Sequence, residues 1–294
     1  MSGGAKSVVL PTATIGADGR RVTRLGLGGE GPILRSFGRR REAIALIRRA
    51  LELGITYFDT ARAYDDSEAY LGAALGGERD GVFVASKTAS RRAAAAAVDL
   101  DTTLRNLRTD HLDLWQVHDL RRREEWLEAS SPGGALEALE HARAVGKVRF
   151  LGVTAHRNPE LLAEVLQDYR FDAVLMPVNV LEARLPGFAT TVTEIASACD
   201  VSVVGMLVMA QGVLPEAGIP PELLIRFALG RPAAVLAVGA ETPEQIEENV
   251  RSVAKGPLEP EDERRLRDLV APFADRLAFY RGEPAREAVA EGAG

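Results

Sequence analysis

The chain has a single cysteine, Cys199. One thiol excludes an internal disulfide and suits a reducing compartment such as the cytoplasm. Cys199 itself reads as a small core residue on a helix. Basic charge is not in excess, because 36 Lys and Arg stand against 42 Asp and Glu, for a net charge of -6. Duplex binding needs a basic face, so nucleic acid is not expected as a partner. The triplets RRR at 39–41 and 121–123 read as solvated helix starts or loops. No apolar run approaches the roughly 20 residues of a membrane helix. The opening MSGGAKSVVLPTATIG lacks the apolar core of a signal peptide. A cytoplasmic protein with no membrane partner is expected. No linker rich in Pro, Gly or Ser divides the sequence, which points to one domain over 1–294 with 282–294 as a disordered tail. Oligomeric state is not legible.

What is present is an alternating pattern. Hydrophobic residues make up 46% of 294, enough for a large core, and a closed α/β barrel needs about 250 residues. TATIGADGRRVTRL reads as a hairpin with Asp18-Gly19 as its turn. RLGLGG gives a short strand. REAIALIRRALELG carries apolar residues at helical spacing and stops at Gly54. Strand-like YFD, VFVASK, HLDLWQVH, KVRFLGVT, FDAVLMPV, VSVVGMLV and AAVLAVG then alternate with helical segments. The result is eight strand–helix units, which predicts a (β/α)8 TIM barrel, with the hairpin plugging its bottom and an extra C-terminal helix over 260–282 outside. A dinucleotide-binding open sheet fits less well, because no helix starts on the glycines of LGLGGEG in the required register.

A barrel places its chemistry at the C-terminal ends of its strands. Strand 2 of the barrel ends in Asp59, strand 3 in Lys87 and strand 4 in His118, and Tyr64 follows Asp59 in a loop. Singly, each has a structural explanation: a helix cap, a solvated lysine, a core histidine. On three consecutive strands they converge on one mouth. A phenol with a pKa of ~10 is a poor acid unless its anion is stabilised, and a nearby ammonium does that. Asp59 would keep Lys87 charged, and His118 would orient a carbonyl oxygen. The set describes a proton donor aimed at a developing alkoxide, with the hydride supplied by a bound cofactor. No metal site is expected.

Asp-Thr-Ala…Tyr…Ser-Glu…Leu-Gly over 59–72, Ser86-Lys87, LDLWQVH ending in His118, GKVRFLGVT over 146–154 and TPEQIEENV over 242–250 resemble the aldo-keto reductases, as a divergent bacterial-type member. The similarity runs from about residue 20 to about 252. It implies NAD(P)H-dependent reduction of an aldehyde or ketone to an alcohol, and the reverse. In this reading Tyr64 is the general acid, tuned by Lys87 and Asp59, and His118 orients the carbonyl.

The match departs from the family at several positions. Asp65 stands where a glycine commonly follows the catalytic tyrosine; Asp tolerates the backbone angles that glycine permits, and it would repel anionic substrates. Leu175, read as ending strand 6, replaces a glutamine that binds the nicotinamide amide. Met206 replaces the stacking aromatic at the end of strand 7, and is soft enough to pack on a flat ring. Thr154 aligns with the amide-binding serine, Ala155 replaces the following asparagine, and His156 either compensates or is an exposed loop residue. Gly239, Ala240, Glu241, Gln245, Glu248 and Asn249 align with the adenosine-binding segment, where a helix N-terminus can hold a phosphate. NADPH is the family default, and either cofactor is expected: Glu241 would repel a 2′-phosphate and weaken discrimination for NADPH, toward NADH, or it points to solvent and a more distant Arg serves. The short AQGVLPEAGIP segment predicts an open cofactor groove. Two other readings stay open: a Schiff-base lyase using Lys87, which would need a neutral lysine that Asp59 opposes, and a non-catalytic nicotinamide-binding barrel. Substrate identity depends on loops. Trp126, in the strand 4 loop, either walls the pocket or packs on the barrel.

Overall fold

A computed structural model describes residues 9–16, 19–31, 33, 34 and 36–281. The hairpin comes first, β1 (Thr12–Ile15) pairing antiparallel with β2 (Arg20–Thr23). The turn is closed by Gly19 N–H donating to Gly16 O at 3.2 Å; Asp18 of the expected turn lies outside the described residues. Then follow β3 (Leu25–Gly28), α1 (Arg40–Glu52), β4 (Tyr57–Asp59), α2 (Ser67–Leu75), β5 (Phe83–Thr88), α3 (Ala93–Leu107) and β6 (Leu112–Val117). The second half comprises α4 (Arg123–Ser130), α5 (Ala135–Ala144), β7 (Val148–Thr154), α6 (Pro159–Asp168), β8 (Ala173–Pro177), α7 (Thr193–Ala198), β9 (Ser202–Met206), α8 (Val213–Glu216), α9 (Pro221–Leu229), β10 (Val235–Val238) and α10 (Pro243–Ala254). Strands β3 to β10 close into a barrel, with β10 pairing parallel to β3.

Local sequence accounts for the elements. Helix α1 buries Ala43, Leu46, Ile47 and Ala50, an i, i+3, i+4, i+7 stripe, and Gly54 beyond it takes φ 82. Helix α6 is capped by Asn158, which accepts from Leu161 N–H at 2.9 Å, and begins with Pro159. Strands β5 and β6 are buried along their whole length, as expected of parallel strands covered on both faces.

Side chains alternate between the barrel interior and the helical layer. Tyr57, Phe83, Leu114, Phe150, Leu175 and Met206 fill the interior with the hairpin's Ile15 and Val22. Tyr57 and Phe83 stack at 5.2 Å, and Phe83 and Phe150 at 6.0 Å. Tyr57 and Phe83 open their strands, so the hairpin plugs the N-terminal end and leaves the C-terminal end for chemistry.

Three expectations need correction. The strand 4 loop carries a helix, α4. Of the two readings of its Trp126, packing on the barrel is the one found: it lies on Phe171 at 6.1 Å and donates from Nε1 to Asp168 at 2.9 Å. The extra C-terminal helix is not continuous over 260–282. Helix α11 (Pro260–Val270) gives way to a 3-10 turn over Ala271–Phe273, then α12 (Ala274–Leu277) and a last turn over Phe279–Arg281. Pro272 lacks an N–H and clashes with the preceding turn, which breaks the helix there. Leu175 lies mid-strand rather than last, because β8 runs on to Pro177. Cys199 sits just after α7, half-buried against the helical core. Among the described residues, no helix is long and apolar enough to cross a membrane, and no group of side chains could hold a metal.

Candidate active site

Asp59 closes β4. Lys87 lies one residue before the end of β5, and His118 follows β6, its N–H donating to Thr88 O at 2.9 Å. Adjacent strands therefore present these side chains at one height. The 60–66 loop is tied to β5 through its backbone: Thr60 N–H donates to Ala85 O at 2.9 Å and Arg62 N–H to Lys87 O at 3.1 Å. This returns Tyr64 over the mouth. Gly29 admits the close approach, because a Cβ there would stand 2.4 Å from Asp59 O.

The four side chains meet. Lys87 Nζ donates to Asp59 Oδ2 at 2.5 Å and Thr60 O at 2.8 Å, and lies 3.5 Å from the Tyr64 hydroxyl. It also stands 4.7 Å from the Tyr64 ring centre. The Tyr64 and His118 rings meet edge-to-face at 5.6 Å. All four residues are buried. Burial pushes the Asp59 carboxyl above its usual range, and the Lys87 ammonium pulls it the other way. Burial, then the Lys87 charge, pushes the His118 imidazole down to about 3. His118 is therefore a neutral hydrogen-bonding group, not a cation, at neutral pH.

The expected cofactor residues divide between the C-terminal ends of β7, β9 and β10 and the start of α10. Thr154 Oγ1 accepts from Asp119 N–H at 2.7 Å. His156 Nδ1 meets Asp119 Oδ1 at 2.8 Å, and its ring stands 6.5 Å from that of His118. Met206 ends β9 on the inner face. Gly239 and Ala240 approach the turn after β3: a Cβ on Gly28 would stand 3.4 Å from Gly239 N, and one on Gly31 the same distance from Ala240 O. Glu241 N–H donates to Gln245 Oε1 at 2.7 Å, and Gln245 N–H to Thr242 Oγ1 at 3.3 Å, capping α10. Glu241, Gln245 and Glu248 are exposed, and Asn249 is buried.

Two residues matter more than their sequence context suggested. Glu68, in the Ser-Glu pair that opens α2, is wholly buried. It accepts from Ser86 at 2.9 Å, Thr103 at 2.7 Å, Asn106 at 3.0 Å and Arg62 at 3.1 Å. It thereby fixes the Tyr64 loop to β5 and α3. Asp119 takes φ 47 and holds both His156 and Arg121 Nε, the latter at 2.6 Å. These contacts hold its carboxyl well below the usual range against the opposing effect of burial. An Asp directly after a strand-end His was the only available signal.

Comparison with known proteins bears on this arrangement. The curated relative Uncharacterized oxidoreductase YqkF of Bacillus subtilis (strain 168) is 25% identical over 191 residues, 60% of this chain and 59% of that protein. Aldo-keto reductase YhdN of the same organism is 33% identical over 158 residues, 48% of this chain and 46% of that one. Methylglyoxal reductase YeaE of Escherichia coli (strain K12) is 35% identical over 119 residues, 39% of each. The chain thus spans about half the length of the curated relatives it matches. The solved structure of aldo-keto reductase AKR11C1 from Bacillus halodurans, in its holo form, superposes with a TM-score of 0.73 at 24% identity, covering 89% of this chain and 96% of that one, which supports the barrel fold. Residues 24–222, the barrel from β3 into α9 with all four clustered side chains inside, match the Aldo/keto reductase family. With that span covering more than half of the sequence, the chain belongs to the aldo/keto reductase family, a family of NAD(P)-dependent oxidoreductases.

Proposed function

We propose that the protein reduces an aldehyde or ketone to the alcohol, and catalyses the reverse, with a nicotinamide cofactor. The observation that carries this reading is Lys87 Nζ held between Asp59 Oδ2 at 2.5 Å and the Tyr64 hydroxyl at 3.5 Å. The residues at the mouth fit a nicotinamide dinucleotide. The turns after β3 and β10 face each other through Gly28, Gly31, Gly239 and Ala240, so backbone rather than side chain meets a ligand there. Met206 offers a flat ring a polarisable contact. Thr154 and His156, both tied to Asp119, would hold the carboxamide. Glu241, Gln245, Glu248 and Asn249, at the start and along the first turns of α10, would hold the adenosine end. When bound, the cofactor supplies a hydride to the carbonyl carbon.

The chain's own residues manage the proton. Tyr64 O–H gives its proton to the substrate oxygen. The Lys87 ammonium opposes the charge left on the phenolate, and Asp59 holds that ammonium in place. Neutral His118 orients the carbonyl oxygen through a hydrogen bond. General acid catalysis of this kind contributes about 10²–10⁴-fold. A Schiff-base role for Lys87 is disfavoured, since its amine is engaged by a carboxylate and a carbonyl. Glu241 places a carboxylate on the turn that opens α10, which disfavours a 2′-phosphate and shifts preference toward NADH.

Titration with NADPH and NADH, followed by turnover of 4-nitrobenzaldehyde with the tighter cofactor, tests both points. Tyr64→Phe should abolish turnover and leave cofactor affinity nearly unchanged. Retention of turnover in that variant would remove Tyr64 from its role. Tight NADPH binding without measurable NADH binding would sink the inferred preference.

A further inference from the structure

The loop leaving β9 is strained. Leu207, Ala210 and Gln211 take φ 57, 47 and 57, left-handed values that only glycine adopts at little cost. Such conformations persist where surrounding contacts over-determine them, and they cluster at ligand sites. Two contacts hold the start of this loop from the segment after β8. Val178 N–H donates to Met206 O at 3.0 Å, and Asn179 Nδ2 to Leu207 O, also at 3.0 Å. Leu207 O accepts Ala210 N–H at 2.8 Å as well, and Met209 O accepts Gly212 N–H at 3.0 Å.

Asn179 is itself held by the end of the described chain. Its Nδ2 donates to the Tyr280 hydroxyl at 3.0 Å, and its Oδ1 accepts from Leu181 N–H at 2.9 Å and Glu182 N–H at 3.2 Å. The Tyr280 hydroxyl donates to Glu182 Oε1 at 2.6 Å. Glu182 is paired with Arg281, whose Nε lies 3.0 Å from Oε1 and whose Nη1 donates to Pro186 O at 3.0 Å. Asn179, Glu182 and Tyr280 are all buried. Burial, then the Glu182 carboxylate, push the Tyr280 phenol up, so it stays a neutral donor.

We propose that Tyr280 and Asn179 are positioning residues for cofactor binding: they brace the Leu207–Gly212 loop beside Met206, so that the nicotinamide nucleotide meets a preformed wall. The segment after β9 is short and has no long flap to close over a ligand. Affinity must then come from a loop ordered beforehand, because ordering costs are removed from the binding step. The brace does that ordering from the far end of the chain, across 101 residues of sequence. This inference rests on the nicotinamide reading of the mouth.

The test has two arms. Hydrogen exchange is measured on cofactor-free wild type, Tyr280→Phe and Asn179→Ala. Dissociation of NADPH and NADH is followed by stopped-flow fluorescence. In both variants, exchange across 207–214 should rise about tenfold or more, with protection across 83–88 and 112–117 unchanged. Cofactor dissociation should quicken about three- to tenfold, equivalent to roughly 0.6–1.4 kcal/mol. Unchanged loop exchange or unchanged dissociation in both variants would overturn the brace. So would a uniform loss of protection over the barrel, which would mark Tyr280 as a general stability residue. A wild type that binds neither nucleotide would instead overturn the reading of the mouth, and with it the brace's part in binding.

Discussion

The two halves of the barrel mouth are built differently. On the β4–β6 side the functional side chains are buried and two of them are held several times over: Lys87 by two acceptors and Glu68 by four donors, with the Tyr64 loop tied by backbone bonds to β5. On the β7–β10 side the expected contacts are fewer and more exposed, Leu175 within β8 and Met206 at the end of β9 depart from the family pattern, and the loop after β9 takes three left-handed non-glycine residues. The difference follows from what each half handles. A buried ammonium facing a phenol is costly unless geometry is fixed, because an unpaired charge in the interior is heavily penalised. A dinucleotide spread over several loops draws on many small contacts, any one of which can be exchanged. The first half tolerates no drift, whereas the second accommodates Leu175, Met206 and Glu241.

The largest test of this contrast is Lys87→Met. It removes the cation while leaving Asp59 buried beside a methyl. We expect turnover to vanish and stability to fall by about 3–5 kcal/mol, the usual cost of an uncompensated buried charge. Asp59→Asn added to Lys87→Met should recover much of that stability and none of the activity. Urea unfolding of both variants checks it. A single variant as stable as wild type would show that Asp59 does not depend on its partner, and the contrast between the halves would fail.

His118 sharpens the comparison through pH. Its imidazole is held at about 3 by burial first and Lys87 second, against roughly 6.5 when unfolded. Between those values the unfolded chain binds a proton that the native one does not. The stability linked to His118 is therefore full above the unfolded pKa and is lost as pH falls through that window. Replacing His118 by Gln should flatten the stability–pH slope by up to about 1.4 kcal/mol per pH unit inside that window. Proton NMR of the native ring should show no titration from about pH 5 to 8. A midpoint near neutrality would return a charge to this half and undo the assignment of a neutral hydrogen-bond donor.

Much of the β4–β6 side was legible before the fold was known, because strand-end position is a local property. Asp59, Lys87 and His118 each close an apolar run, and the alternation that marks the runs also marks their last residues. Pro272 was an equally local signal of the helix break in the C-terminal segment. Glu68 was visible only as part of the Ser-Glu pair opening a helix, and it is the packing of α2 on α3 and β5 that buries it. Gly72 permits that packing, since a Cβ there would lie 2.3 Å from Asn106 O. The Tyr280–Asn179 contact carried no local trace, because nothing at either position reports a partner so distant in sequence. Helix α4 was missed because its apolar side consists of little beyond Trp126 and Ala129.

The smallest expected effect is at Asp65, where the tightly held half makes its own concession. The residue is exposed and takes φ 36, which fits its place where the family commonly uses glycine. Asp visits this region more readily than most residues, but still at some cost, whereas glycine pays instead through unfolded-state entropy. Asp65→Gly should therefore leave stability within about 1 kcal/mol of wild type, while Asp65→Ala should fall below Asp65→Gly by about 1 kcal/mol. Both variants remove the same charge, which separates strain from electrostatics. The KM for 4-carboxybenzaldehyde should drop in both, by about two- to threefold at low salt and less at high salt, with 4-nitrobenzaldehyde unaffected. Equal stability of the Ala and Gly variants would mean that the loop around Tyr64 relaxes without cost. The half that holds Lys87 would then be no more rigid at its edge than the half that holds Met206.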